Sequence, residues 1–301
     1  MRTKTLNLIL IAAMPILSIG SSQGQSSGKS FNGKWSGTIN NGTFKVILQR
    51  SDLLGGNAMS GVLLRMEELK PVTGSETGEY KITRDAGTLI LKGEVGQKEG
   101  SGTFSLVTNQ TFLNSINESV VAINTEDAGP QLFYADINTK YLALLQSNGY
   151  TIQSEGQLMS LAANRVDYTY LAELLAGLES HGYGRPSLDK LIQMKVHGVD
   201  ADYLAFLNKM GSGNVSADKA LELKDQGITN DYVQEYKKIG FRSVTPEKAL
   251  DMKRHNVTVA YITEMQKKGY TDLTLDEYKA LKTRNVGDNL QLEVKVDIKS
   301  N

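Results

Sequence analysis

Two hydrophobic periods divide the chain. From Phe31 to Val107 apolar and polar positions alternate: Trp35, Gly37 and Ile39 share one face, as do Phe44, Val46 and Leu48, then Leu89, Leu91, Gly93 and Val95, then Phe104 and Leu106. A period of two is that of half-buried strands. "NNG" at 40–42 and "RDAG" at 84–87 supply residues that tolerate a positive φ where strands reverse. The segment 31–109 is expected to hold about six short antiparallel strands closed into a lipocalin-like small barrel or a sandwich, since closure removes exposed strand edges.

Beyond residue 109 the spacing changes. Gly182, Gly211, Gly240 and Gly269 lie 29 apart, and Gly149 stands 33 before the first of them. Tyr203, Tyr232 and Tyr261 keep the same interval, as do Tyr141 and Tyr170, so four extra residues fall between Tyr170 and Gly182. Self-similarity at this period predicts a solenoid of two-helix units over 110–289, each hairpin too small to bury its own apolar face.

Each unit repeats the same local instructions. Five residues after each glycine comes a hydroxyl suited to cap a first helix: Ser154, Ser187, Ser216, Thr245 and Thr274. Asp189, Asp218, Glu247 and Asp276 then place an acid in the first turn, where the helix dipole favours it. Gly198, Gly227, Asn256 and Asn285 stop the first helix, being residues that enter the left-handed region cheaply. Asp200, Thr229 and Thr258 cap the second helix. Val199, Ile228 and Val257 precede those caps and match Leu204, Val233 and Ile262 at the spacing of a hydrophobic staple. Residues 110–148 read as a degenerate first unit, with Gly129 and Pro130 interrupting its first helix.

Past 289 the period returns to two, with Leu290, Leu292, Val294, Val296 and Ile298 on one face. A strand over 290–301 is predicted, and it needs a partner, either the barrel edge or another molecule. The fold class is therefore α+β: a small antiparallel β-barrel or sandwich, then an α-helical solenoid of 29-residue repeats, then a C-terminal strand.

Composition narrows the partners. A chain of 301 residues with 40% hydrophobic content is expected to form two domains. Its 33 basic and 33 acidic residues cancel, so nothing in the global field calls for nucleic acid or an anionic membrane. At the start, Arg2 and Lys4 precede an apolar run from Leu6 to Ile19, followed by small and polar residues. That is the layout of a signal peptide over 1–24, and the run is short for a membrane span, with Pro15 inside it. The mature protein is expected to be periplasmic or secreted, without a membrane span. The absence of cysteine excludes a lipidated cysteine, a disulfide and a thiolate metal site.

Catalytic signatures are missing: no H-E-x-x-H, G-x-S-x-G, Walker loop or cysteine nucleophile occurs. A non-enzymatic protein without cofactor or metal is expected. His197 and His255, 58 apart, fall at the ends of first helices, where they complement the dipole; His181 lies by the four-residue insertion. Two ladders are candidate partner surfaces. Lys195, Lys224, Lys253 and Lys282 recur near the ends of first helices, as dipole complement or as an anion-reading surface. Tyr170, Tyr203, Tyr232 and Tyr261 recur in the first turn of second helices, as inter-unit contact or as a binding face. Trp35, in "NGKWSG", opens the first strand as G-x-W does in lipocalin-type barrels; it plugs a solid core or lines a cup for a small apolar ligand.

The block "TRDAGTLILKGEVGQKEGSGTFSLVTNQTF" (83–112), followed by phrases of the form "GVxxxYLxxLxxxGY", resembles the extracytoplasmic tail of BlaR/MecR-type antirepressor metallopeptidases, the beta-lactam-sensing kind, and of related free-standing bacterial envelope proteins. The resemblance covers most of the chain after residue 24. The chain lacks that family's membrane helices and zinc-peptidase motif, so the resemblance implies a sensor or adaptor module in signal transduction and not a protease. The reading reached is an exported binding module that holds a protein or peptide partner in the cell envelope through its helices. The alternative is a carrier of a small apolar ligand using the barrel.

Overall fold

A computed structural model describes residues 27–51, 59–72, 78–211 and 215–284. The expected signal peptide over 1–24, the strand over 290–301 and the stop at Asn285 lie outside the described residues.

Seven antiparallel strands form one curled half-barrel sheet: β1 (Ser27–Asn40), β2 (Thr43–Arg50), β3 (Met59–Arg65), β4 (Lys70–Pro71), β5 (Glu79–Arg84), β6 (Gly87–Val95) and β7 (Glu99–Asn109). Their order is β3-β2-β1-β7-β6-β5-β4, so the first and last strands meet at the centre. The strands are not uniformly short, since β1 has 14 residues and β7 has 11. Alternation holds along them: β2 reads exposed, buried four times over, with Phe44, Val46, Leu48 and Arg50 inward. Asn40 pairs with Thr43, and the two residues between them, Asn41 and Gly42, take φ of 47° and 74°, the double positive φ that a tight hairpin turn requires. "RDAG" behaves differently. Arg84 pairs with Gly87, yet neither Asp85 nor Gly87 has a positive φ. This turn is used for docking instead, for Asp85 Oδ2 accepts from the Thr139 backbone N–H and hydroxyl at 2.8 and 2.7 Å.

β3 and β4 end the sheet without pairing to each other among the described residues. Open edges invite other strands. Here they are blunted rather than closed. β4 is two residues long and ends in Pro71, while the outward carbonyls of β3 accept from arginines elsewhere in the chain: Gly61 O from Arg165 at 2.9 Å and Leu63 O from Arg84 at 3.1 Å.

Twelve α-helices follow among the described residues: α1 (Gln110–Ser119), α2 (Ala128–Tyr134), α3 (Thr139–Ser147), α4 (Glu155–Ala163), α5 (Tyr168–Ser180), α6 (Leu188–Val196), α7 (Ala201–Lys209), α8 (Ala217–Asp225), α9 (Asn230–Lys238), α10 (Pro246–Arg254), α11 (Val259–Lys267) and α12 (Leu275–Thr283). None is long and apolar enough to cross a membrane. Ser154, Ser187, Ser216, Thr245 and Thr274 each accept from the backbone N–H three residues on, capping α4, α6, α8, α10 and α12. Asp200, Thr229 and Thr258 do the same for α7, α9 and α11, the donor each time being the N–H of a ladder tyrosine. Gly198, Gly227 and Asn256 take φ of 70°, 65° and 53° and end α6, α8 and α10.

Gly129 and Pro130 do not interrupt a helix; they lie in the first turn of α2, buried. There proline's missing N–H removes no intrahelical bond. A Cβ on Gly129 would lie 2.6 Å from the Thr108 methyl, so glycine lets α2 settle onto β7. Leu132 and Phe133 of α2, and Phe112 and Ile116 of α1, are buried in one hydrophobic cluster that runs from the sheet through to α12.

Candidate functional site

The sheet edge and the helices leave a groove of about 770 Å3 between them. One wall is the edge hairpin (Thr43, Leu63, Arg65), the other the amino-terminal ends of α5 and α7 (Asp167, Tyr168, Tyr170, Asp200).

Two residues with unusual backbone shape its floor. Asp136 and Arg165 close α2 and α4 with φ of 54° and 50°, the place that Gly198 takes after α6. Side chains rarely adopt this conformation at no cost. Here each side chain has a second task. Arg165 reaches Gly61 O on β3. Asp136 lies 3.8 Å from the Arg84 guanidinium, and burial pushes its carboxyl above the usual range even though Arg84 opposes the shift.

Arg84 holds the junction together. Its side chain is 6% exposed and donates to Phe133 O (2.7 Å), Leu63 O (3.1 Å) and Glu68 (3.1 Å), with its guanidinium over the Phe133 ring. Glu68 in turn accepts from the Arg65 backbone N–H at 2.8 Å. One guanidinium thus joins β5, the end of β3, the short 3-10 turn Met66–Glu68 and α2, and a planar fork with five donors suits such a node better than a lysine.

Much of the exposed apolar surface lies at the same edge, Val196 at the end of α6 being apart from it. The large apolar side chains left exposed among the described residues are Ile47, Leu63, Met66, Tyr168 and Val196. Leu63 pairs across β3 with Lys45, and Ile47 with Gly61, so Ile47 and Leu63 share the outer face of the edge hairpin. Met66 continues β3, and Tyr168, 43% exposed, lines the groove with Leu63.

Of the residues nominated from the sequence, Tyr170 also lines the groove, and the others are placed elsewhere. The two ladders are one structure: Lys195, Lys224, Lys253 and Lys282 sit over the rings of Tyr170, Tyr203, Tyr232 and Tyr261 at 4.1, 4.4, 4.9 and 4.7 Å from the ring centres. The hydroxyls point inward as well. Tyr170 donates to Val199 O at 2.7 Å and Tyr203 to Ile228 O at 2.9 Å. Tyr232 bonds to the Tyr236 hydroxyl at 2.9 Å, and Tyr236 passes the contact to Val257 O. Tyr203 is 6% exposed and Tyr261 8%. Burial raises the phenols of Tyr170, Tyr203 and Tyr236 far above their ordinary range and pushes Tyr183 up to about 12. Each lysine also lies in the last turn of its helix, where the dipole favours it.

Trp35 is buried, its ring edge-on to Phe44 at 5.8 Å and its indole N–H donating to Lys92 O. A Cβ on Gly100 would fall 2.9 Å from the ring, so the backbone of β7 lies directly against the indole. His197 and His255 are the residues that follow α6 and α10; their Nδ1 atoms lie 2.5 and 3.1 Å from Asp225 and Asp251. His181 packs edge-on to Tyr183. Among the described residues no cluster of three or more histidine or acidic side chains is arranged to hold a metal.

Arg84, Arg165, Leu63 and Tyr168 were missed in the sequence. One signal was present: counting back from Gly198 by 33 and then 29 residues lands on Arg165 and Asp136, where the stop residue is neither glycine nor asparagine. Comparison of the chain with protein-family models, with curated proteins and with solved structures gives no match in any of the three.

Proposed function

We propose that the protein is a non-enzymatic binding or adaptor module, exported to the cell envelope, whose helical half is a solenoid of two-helix units. In this reading it takes a protein or peptide partner in the groove between the solenoid and the sheet edge. The observation that carries it is the contrast in how polar and apolar groups are used. The tyrosine and lysine ladders are consumed between neighbouring helices, whereas Leu63 and Tyr168 remain exposed and line one groove. Exposed apolar side chains concentrated beside one concavity favour a docking site. The 29-residue recurrence of caps, of left-handed stops and of lysine-on-tyrosine pairs supports the solenoid. A sensor or adaptor role agrees with the resemblance to the extracytoplasmic tail of the antirepressor metallopeptidases.

Crosslinking of the full-length chain in envelope extract tests this. Leu63→Asp and Tyr168→Ala should each lose the principal crosslinked partner, while Lys224→Met on the ladder should keep it. Retention of every partner by both groove variants would remove the groove from the function.

A further inference from the structure

The groove presents Leu63 on the sheet side and an excess of acidic over basic side chains on the helix side. Its lining includes Glu68, Asp136, Asp167, Glu173 and Asp200 against Arg65, Arg84, Lys140 and Arg165, and once Arg84 is paired with Glu68 the acidic excess lies on the helix side. Arg84 is spent on Glu68, Phe133 O and Leu63 O. Arg165 is tied to Gly61 O and keeps its charge, since that acceptor is neutral. Arg65 lies within 3.3 Å of Glu67 and 3.7 Å of Glu68. Lys140 is the one lining cation with no such partner among the described residues.

The carboxylates are less occupied. Asp200 gives one oxygen to the Tyr203 N–H as the α7 cap and has no cation within bonding distance among the described residues. Asp167 caps α5 through the Tyr170 N–H, and its other oxygen lies 3.8 Å from Lys195, a long contact for an ion pair. Glu173, on α5, is exposed and has no partner among the described residues. Leu63 stands on the opposite wall, and the ring of Tyr168 lies beside Asp167 on the helix wall itself.

The edge strand also limits how an occupant can bind. An extended segment would add to β3 through the outward carbonyls of Gly61 and Leu63, and both already accept from arginines. Main-chain strand addition is blocked there, so recognition falls to side chains.

We infer that the groove takes a protein segment that presents lysine or arginine next to a leucine-like or aromatic side chain, the cation set against Glu173 and Asp200 and the apolar group against Leu63 and Tyr168. This rests on the groove being the docking site proposed above, and it adds the chemistry of the partner. Charge complementarity selects the sign: an acidic segment would face like charge across the helix wall. Leu63 and Tyr168, one on each wall, supply the burial that a surface ion pair alone does not.

The probes are three short fluorescein-labelled peptides of equal length, alternating leucine with lysine, with glutamate or with serine, titrated into the full-length protein by fluorescence anisotropy. The lysine peptide should bind, the other two should not, and binding should weaken as salt is raised. The triple variant Asp167→Asn, Glu173→Gln, Asp200→Asn should weaken the lysine peptide by roughly tenfold, from three exposed ion pairs. Asparagine caps a helix as well as aspartate does, so this variant keeps α5 and α7 capped, which an unchanged melting curve confirms. Leu63→Ser and Tyr168→Ala should each weaken it by roughly fivefold, from lost apolar burial. If the serine or glutamate peptide binds as well as the lysine peptide and responds to Leu63→Ser, the groove is a docking site and the inference about charge is wrong. If no peptide binds, or binding ignores all of these substitutions, both the inference and the groove reading fall.

Discussion

The sheet half and the helical half solve the same problem by opposite means. In the helices, stability is written locally and repeated: a hydroxyl or aspartate caps each start from α4 to α12, a left-handed residue ends each first helix from α6 to α10, and a lysine covers a tyrosine of a neighbouring helix. In the sheet, the exposed edge is managed by two single arginines, one from β5 and one from the loop after α4, 21 and 104 residues from the carbonyls they satisfy. Repetition spreads risk over many equivalent contacts. A lone guanidinium concentrates it.

Substitution at Arg84 should therefore have the largest effect. Arg84→Met leaves the mostly buried Glu68 without its close ion pair, with only Arg65 beside it, and strips the Leu63 and Phe133 carbonyls, for a loss of about 3–5 kcal/mol in chemical denaturation. Arg84→Lys should recover little of it, because an ammonium cannot reproduce the fork. A lysine variant as stable as the parent would mean that the junction depends on charge alone and not on geometry.

A ladder rung should cost less. Tyr203→Phe keeps the ring under Lys224 but leaves the Ile228 carbonyl short of a donor, a cost of about 1–3 kcal/mol in the same denaturation measurement. Alkaline pH should act on several of these buried phenols together. Burial raises these phenols in the folded state, so the fold keeps protons that the unfolded chain releases above about pH 10. Their contribution is intact below pH 10 and is lost as pH climbs through the raised folded values, that of Tyr183 being about 12. Thermal unfolding followed by circular dichroism should show a melting temperature that falls steadily above pH 10, and Tyr170→Phe with Tyr203→Phe should flatten the fall.

Smaller again are the repeated local elements. Ser216→Ala should destabilise by about 1 kcal/mol, the ordinary value of a lost cap. Lys224→Met, which removes the cation over Tyr203 and keeps most of the stem, should cost about 0.5–1 kcal/mol. If Lys224→Met rivals Arg84→Met, the contrast between the halves is wrong.

The same contrast explains what could be read in the sequence. Ser187, Ser216 and Thr245 were recognisable as caps because a cap acts within three residues and recurs at a fixed interval. Inward residues such as Val46 and Leu89 were legible because a strand alternates whatever its partner. The groove was not legible, because Leu63 meets Tyr168, and Arg165 meets Gly61, only through the tertiary path of the chain. The ladders could be seen as two rows, but that they form pairs depends on helix packing that spacing does not encode. The turn at 84–87 was assigned to the wrong conformation, because its residues are chosen for contact with Thr139 and β7 rather than for φ.

Arg165 carries one last implication, for how such a chain could lengthen. A tandem duplication of 29 residues taken between Gly198 and Gly227 would give every new lysine its own tyrosine and every new helix its own stop. A duplication spanning Arg165 would yield a second guanidinium with no strand carbonyl to meet, since Gly61 has only one to offer. In the solenoid reading proposed above, growth is permitted at the end remote from the sheet, and Arg165 is held at a single copy.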